Sequence, residues 1–331
     1  MFATNHRIAY QNVERSAVNR YVTINIRILK ELGFELVPPF WRNILCPSIN
    51  VYIYNWFFIS NRTFFGAIGR PFLRMLTLLL FRKQTVFVHH NKIPHDHLFP
   101  YAVKHLQRFC YHFACRIVVH NMHDFHELNG LFPGKVWFIP HPHYVAEYGQ
   151  ETHGRCPATS GSRVGFLGLI RPYKNLEILI TAFRRVQRDD LWLEICGEAP
   201  DFDYLQTLRT IIGEDHRIRL VPEFVPDDQI STLISRWDYM VLPYSNRSVS
   251  NSGAAILAIS YGVIPVLPRI RGVEDWPLPD NCLYEYSTAD DHLVVLTARI
   301  RAITEKRPEP GDLARLREYA LEELSHEIVR E

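Results

Sequence analysis

The segment Arg163-Val-Gly-Phe-Leu-Gly-Leu-Ile-Arg-Pro-Tyr-Lys-Asn175 carries the pattern around which the architecture of the chain is built. Residues 164–167 form a short apolar run of strand type closed by Gly168, and Leu176, Leu179, Ile180 and Phe183 then repeat at the spacing of one helix face. A strand that feeds a helix through a turn holding Arg171 and Lys174 sets two cations beside a helix start. Unpaired N–H groups and the macrodipole already favour anions there. The arrangement suits a diphosphate. It equally suits an ordinary strand-to-helix turn with two solvated cations, since most surface Lys and Arg residues have no partner of consequence.

Downstream, strand patterns at 191–196, 217–221, 238–242 and 263–267 alternate with helix patterns at 175–187, 202–212, 227–235 and 251–261. Alternation of this kind implies a parallel sheet covered on both faces. Upstream the same rhythm runs from a weak strand at 6–11 through a helix at 17–32, C-capped by Gly33, to a strand at 34–37. Strands are expected again at 49–56, 85–88, 116–120 and 135–139, with helices at 70–83, 101–115 and 123–131. Thr, Gly, Pro and Ser dominate residues 151–162, which read as the linker. The expected class is α/β, with two doubly wound parallel-sheet domains at 1–155 and 163–305 and a terminal helical segment at 306–331. Helices are expected at 290–305 and 312–328.

A chain of 331 residues supports two full cores, and 47% hydrophobic with 22% charged residues is the composition of a globular protein. Thirty-seven Lys and Arg against thirty-five Asp and Glu leave no global field that calls for nucleic acid. The six cysteines show no Cys-x-x-Cys pair and read as reduced thiols of a cytosolic protein. The first residues lack a signal-peptide layout, and no apolar run is long enough for a bilayer span, so membrane contact is expected to be peripheral at most. Residues 70–83 combine Arg70, Arg74, Arg82 and Lys83 with Phe72, Leu73, Met75, Leu76, Leu79 and Leu80. Such a helix fits an anionic membrane surface, or simply packs on a sheet.

Two histidine-rich stretches follow strand ends, where open parallel sheets gather their ligands. His89-His90-Asn91-Lys92-Ile93-Pro94-His95-Asp96-His97 lacks the i, i+4 helical pairing of a zinc site, so no metal is expected there. A histidine or acid placed for proton transfer, or for holding a sugar hydroxyl, is the better reading. In Pro140-His141-Pro142-His143-Tyr144 the prolines also suit a fixed turn with no ligand.

Taken together, Gly165-Phe-Leu-Gly-Leu-Ile-Arg-Pro-Tyr-Lys-Asn175, Leu193-Glu-Ile-Cys-Gly197, Phe224-Val-Pro-Asp-Asp228, Trp237-Asp-Tyr-Met-Val-Leu-Pro-Tyr244 and Asn251-Ser-Gly-Ala-Ala-Ile-Leu-Ala-Ile-Ser-Tyr-Gly262 resemble the donor domain of GT-B glycosyltransferases. The similarity is to the bacterial exopolysaccharide and lipopolysaccharide enzymes of the glycogen-synthase-like branch. His90-Asn-Lys-Ile-Pro-His-Asp96 and Ile139-Pro-His-Pro-His-Tyr144 resemble signatures of the same group more faintly. The resemblance implies two Rossmann-like domains facing a cleft. It implies transfer of a sugar from a nucleoside-diphosphate sugar to a glycan or lipid-linked acceptor, without metal or cofactor, on the cytoplasmic side of the membrane.

By the same resemblance Arg171 and Lys174 hold the diphosphate, with Gly168, Glu198, Asn251, Ser252 and Gly253 around the donor and Phe224 and Val225 receiving the base. His90, Asn91, His141 and His143 are the expected acceptor residues, and His95 and Asp96 the catalytic pair. The retaining branch carries two glutamates where this chain has Val249 and Leu257. That departure leaves retention or inversion open and admits a nucleotide- or glycan-binding protein without transfer. A nucleotide-sugar 2-epimerase shares the architecture and fits the motifs less well.

Overall fold

A computed structural model of the chain describes residues 7–14, 19–58, 63–90, 98–149, 161–245, 250–305 and 308–331. They fall into two compact units, Met1–Pro142 with Leu324–Glu331, and His143–Glu323.

The first unit runs β1 (Arg7–Tyr10), α1 (Arg20–Glu31), β2 (Glu35–Val37), α2 (Trp41–Ile44), β3 (Ile49–Tyr54), α3 (Arg70–Leu80), β4 (Gln84–His89), α4 (Pro100–Phe113), β5 (Arg116–Val119), α5 (Met122–Leu131) and β6 (Val136–Phe138). Its strands pair in parallel in the order β2-β1-β3-β4-β5-β6. The β-branched and aromatic run of β3 suits a strand, and its Tyr52 and Tyr54 join Ala9, Phe87, Ile117 and Val119 in the core. Helix α1 buries Tyr21, Val22, Ile24, Ile26 and Ile28. It ends at Gly33, whose φ of +88° lets its N–H reach the Lys30 carbonyl at 2.9 Å.

The second unit runs β7 (Ser162–Leu167), α6 (Leu176–Arg185), β8 (Leu191–Cys196), α7 (Phe202–Ile212), β9 (Ile218–Val221), α8 (Asp227–Ile234), β10 (Tyr239–Val241), α9 (Gly253–Ser260), β11 (Ile264–Pro268), β12 (Leu283–Tyr284), α10 (Ala289–Glu305) and α11 (Pro310–Glu323). The order β12-β11-β10-β7-β8-β9 is the doubly wound arrangement in which the strand sequence reverses between the first and fourth strands, here β7 and β10. Leu176, Leu179, Ile180 and Phe183 of α6 are all buried, as their spacing predicts.

The expected helix at 312–328 is two helices. Ser325 takes an extended conformation after α11, and its side chain accepts the Ile328 N–H at 3.2 Å, starting α12 (His326–Arg330). Helix α12 lies on α1 of the first unit, with Arg330 3.5 Å from Glu31 and Arg27 3.2 Å from His326. A π-helical turn, Phe65–Gly69, precedes α3, and neither it nor α2 and β12 is foreseen by the sequence pattern. Most of the expected linker, 151–160, lies outside the described residues; the division between units falls between Pro142 and His143.

Candidate functional site

In an open parallel sheet the loops diverge at the point where strand order reverses, leaving a crevice at the carboxyl ends of the two flanking strands. In the second unit those strands are β7 and β10, and the quoted stretch leaves β7 there. Gly168, at φ +152°, turns the chain out of the strand, while its N–H reaches the Cys196 carbonyl at 3.1 Å. Gly197 answers it from the end of β8: a Cβ on Gly197 would stand 2.0 Å from the Gly168 carbonyl oxygen, so only glycine permits this approach.

A short turn, Pro172–Lys174, then delivers Asn175 in the left-handed conformation at φ +54°. The Asn175 amide donates to the Pro243 carbonyl, just beyond β10, at 2.9 Å. This bond ties together the two loops that flank the reversal. Beside it the Lys174 ammonium stands 4.2 Å from the Tyr244 ring centroid and 5.0 Å from that of Tyr173, a cation held over aromatic faces. Burial draws the Lys174 pKa below the ordinary lysine range. Arg171 is exposed.

The start of α6 is not the open anion cradle that the sequence suggests. Tyr204 accepts the Leu176 N–H at 3.2 Å and donates to the Glu177 carboxylate, so a hydroxyl already serves the first turn and an acid stands in it. The start of α9 is the better candidate. Ser252 caps it by accepting the Ala255 N–H at 3.1 Å, and Gly253 follows with the Tyr144 hydroxyl 3.3 Å from where a Cβ would stand. Asn251 lies against Gly272, where a Cβ would come within 2.4 Å of the Asn251 Oδ1. Leu257 is buried within this helix.

Glu198 follows β8 and is exposed; its carbonyl, not its carboxylate, is engaged, accepting the Ile170 N–H at 2.9 Å. Phe224, 70% exposed, and the half-buried Val225 sit in the loop after β9. An aromatic ring so far out of the core is available to stack on a planar ligand.

The first unit reverses strand order between β1 and β3. There Gln11 and Trp56 exchange two bonds, Nε2 to the Trp56 carbonyl at 2.9 Å and the Trp56 N–H to Oε1 at 2.7 Å. The Trp56 indole stacks on His90 at 4.9 Å and 12°. Tyr21 then gathers three imidazoles, with ring centroids 5.0 Å from His90, 5.4 Å from His120 and 4.7 Å from His141. His120 Nδ1 lies 2.7 Å from the Ile139 carbonyl, which can only accept, so the proton sits on Nδ1 and Nε2 accepts from the Tyr21 hydroxyl at 3.1 Å. Burial holds His120 down to about 4, His141 to about 3 and His90 well below its usual value. These are neutral rings at pH 7, so His90 does not titrate near neutrality as its position in a polar loop suggests.

A small cavity of about 50 Å³ beside this cluster, lined in part by Asn55, Trp56, His89 and Tyr111, has room for a few waters. His143 belongs to the second unit and accepts the Val145 N–H at 3.2 Å. Asn91, His95, Asp96 and Val249 lie outside the described residues. Among the described residues, His123, Asp124 and Glu127 offer potential metal-ligand atoms within 4.8 Å of one another, and Asp124 already accepts from Asn121 at 2.7 Å.

Sequence reasoning passed over Tyr244, Asn175 and Tyr144 in the second unit and Tyr21, Trp56 and His120 in the first as site residues. Their signal was positional, since Trp56, His120 and Tyr244 each stand within three residues of a strand's carboxyl end.

Two parallel sheets with these strand orders match the GT-B fold. The crystal structure of Anabaena HepE in complex with UDP and glucose is similar over 98% of this chain and 97% of its own, at a TM-score of 0.67 and 12% identity. Sucrose-phosphate synthase from Thermosynechococcus elongatus is similar over 99% and 94%, at 0.64 and 12%. At such identity the likeness is one of fold. Residues 158–275 match the family of glycosyl transferases group 1. A GDP-mannose:glycolipid 4-beta-D-mannosyltransferase of Xanthomonas campestris pv. campestris is 34% identical over 123 residues, 37% of this chain and 34% of the relative. A second protein of that description is 36% identical over 103 residues, 31% and 29%. The chain thus spans about a third of the length of the curated relatives it matches. Among the described residues no helix is long and apolar enough to cross a membrane.

Proposed function

We propose that the protein transfers a hexose from a nucleoside-diphosphate sugar to a hydroxyl of a glycan or lipid-linked acceptor, without a metal, in bacterial surface polysaccharide synthesis at the cytoplasmic face. The observation that carries this reading is the Lys174 ammonium held over Tyr244 beside the Asn175–Pro243 bond, at the reversal of the second sheet. In the transfer, the bond from the anomeric carbon to the phosphate oxygen breaks and its electron pair leaves with the nucleoside diphosphate. Arg171 and Lys174 stabilise that charge. The acceptor oxygen bonds to the anomeric carbon and its proton passes to a base, for which His95 and Asp96 are the proposed source. Gly168, Glu198, Asn251, Ser252 and Gly253 surround the donor and Phe224 with Val225 takes the base. His90, Asn91, His141 and His143 bind the acceptor.

The test is nucleotide-sugar turnover across a panel that includes GDP-mannose and UDP-glucose, the nucleotides suggested by the relatives' names. Arg171→Ala combined with Lys174→Ala is expected to lower transfer by about a hundredfold or more. Undiminished transfer in the double variant removes the diphosphate assignment. A second reading rests on Leu257, an apolar side chain buried where the retaining branch carries a carboxylate. On that reading the protein binds nucleotide and transfers nothing. Calorimetric binding of UDP or GDP with neither transfer nor donor hydrolysis across the panel selects it.

A further inference from the structure

Helix α3 is apolar on two sides. Met75 and Leu78 face the core and are fully buried. Phe72, Leu73, Leu76 and Leu80, at offsets of 0, 1, 4 and 8 residues, share one stripe about a quarter to a third of the helix circumference wide, and all are exposed, Leu80 by 77%; Phe65, in the preceding π-helical turn, is 60% exposed. A helix apolar all round is normally enclosed by protein, and a contiguous exposed apolar face marks an interaction site. The patch widens onto the neighbouring helices. Trp41 of α2 and Tyr101 of α4 are exposed, and Phe72 meets Phe109 of α4 at 5.4 Å between ring centroids.

Charge identifies what covers it. From residue 36 to 123 the sequence holds ten Lys and Arg and a single acidic residue, Asp96, while the remainder holds twenty-seven Lys and Arg against thirty-four Asp and Glu. The near-neutral chain is therefore strongly divided, and its cationic part includes the exposed apolar stripe. Some of these cations serve the fold: Lys83 donates to the Cys46 and Ile49 carbonyls at 2.9 and 2.8 Å, and Arg74 lies over the rings of Trp41 and Tyr54. Arg42, Arg70, Arg82, Lys104 and Arg108, in or beside α2, α3 and α4, are exposed. Lys104 and Arg108 stand one turn apart on the exposed face of α4, with Tyr101 a turn before them.

We infer that the α3–α4 face is a docking surface for an anionic phospholipid bilayer, with the α3 stripe inserted at the headgroup boundary and the surrounding cations on lipid phosphates. Apolar insertion and attraction to anionic lipid act together in such helices. A protein partner of equal fit would have to present an acidic rim around an apolar groove; a bilayer supplies both features without shape matching.

The test is sedimentation of the full chain with vesicles of phosphatidylcholine alone and of phosphatidylcholine mixed with phosphatidylglycerol. The protein is expected to partition onto the mixed vesicles and to leave them as salt rises. Arg70→Gln with Arg82→Gln is expected to weaken partition by about fivefold for each charge removed. Leu73→Gln, Leu76→Gln and Leu80→Gln together are expected to weaken it at least about tenfold. Both variants should keep the wild-type melting temperature and nucleotide affinity, since the replaced side chains are exposed and outside the candidate site. Failure to sediment with anionic vesicles, or equal partition onto both kinds, overturns the inference. So does a wild-type dimer that the triple leucine variant turns into monomers, which would make a second copy the occupant. No sugar donor enters the measurement, so its outcome is independent of the transfer assay.

Discussion

Gly165 shows how one position in the quoted stretch serves packing and not the ligand. A Cβ there would stand 1.9 Å from the Trp237 Cδ2, and the buried indole is also fixed by its N–H bond to Glu194 at 3.0 Å. Gly165→Ala must push the indole aside, and is expected to cost about 3 kcal/mol of stability by denaturant titration. An unchanged midpoint would mean that the core yields there without penalty. The cations six and nine residues further on are expected to be anion ligands from their place after a strand. Their setting is not legible in the sequence, because Tyr244 and Pro243 arrive from a distant loop and residue spacing carries no record of such meetings. The histidines show the opposite limit. Their residue type promised titration near pH 7, whereas the protons and pKa values of His120 and His141 follow from burial and from two carbonyls that a one-dimensional pattern does not display.

At the scale of elements, periodicity served well where one face is buried and the other wet. Helix α6 and strands such as Leu191–Cys196 stand within two residues of their expected bounds. Periodicity misled at the C-terminus, where Leu313, Leu316, Ala320 and Leu324 continue one helical face across a break that only the Ser325 cap discloses. Helix α9 is the reverse case: it is apolar almost all round, and the Ser252 side chain caps its start. Ser252→Ala is expected to lower stability by about 1 kcal/mol and to weaken nucleotide binding as the first turn frays. Thermal melting paired with calorimetric titration of UDP and GDP checks this. A stability loss with unaltered affinity would detach α9 from the donor site.

For the whole molecule, acidification is the informative stress. His120 and His141 protonate near 4 and 3 in the fold, against an ordinary histidine value of 6.5. Between those values the unfolded chain binds protons that the native state refuses, so stability falls as pH drops from about 6.5 towards 4. His120 alone is worth about 3 kcal/mol by this linkage. Calorimetric melts at about pH 7 and about pH 4.5 should therefore show a marked loss at the lower pH, and equal melting temperatures would contradict the buried neutral rings. One further consequence lies in the assignment of Leu324–Glu331 to the first unit. A ribosome that has made residues 1–142 has not yet made the helix that covers α1, and must translate the whole second unit before it does. The first unit is thus begun before the second and completed after it, and a nascent chain halted short of residue 324 would expose α1 to chaperones.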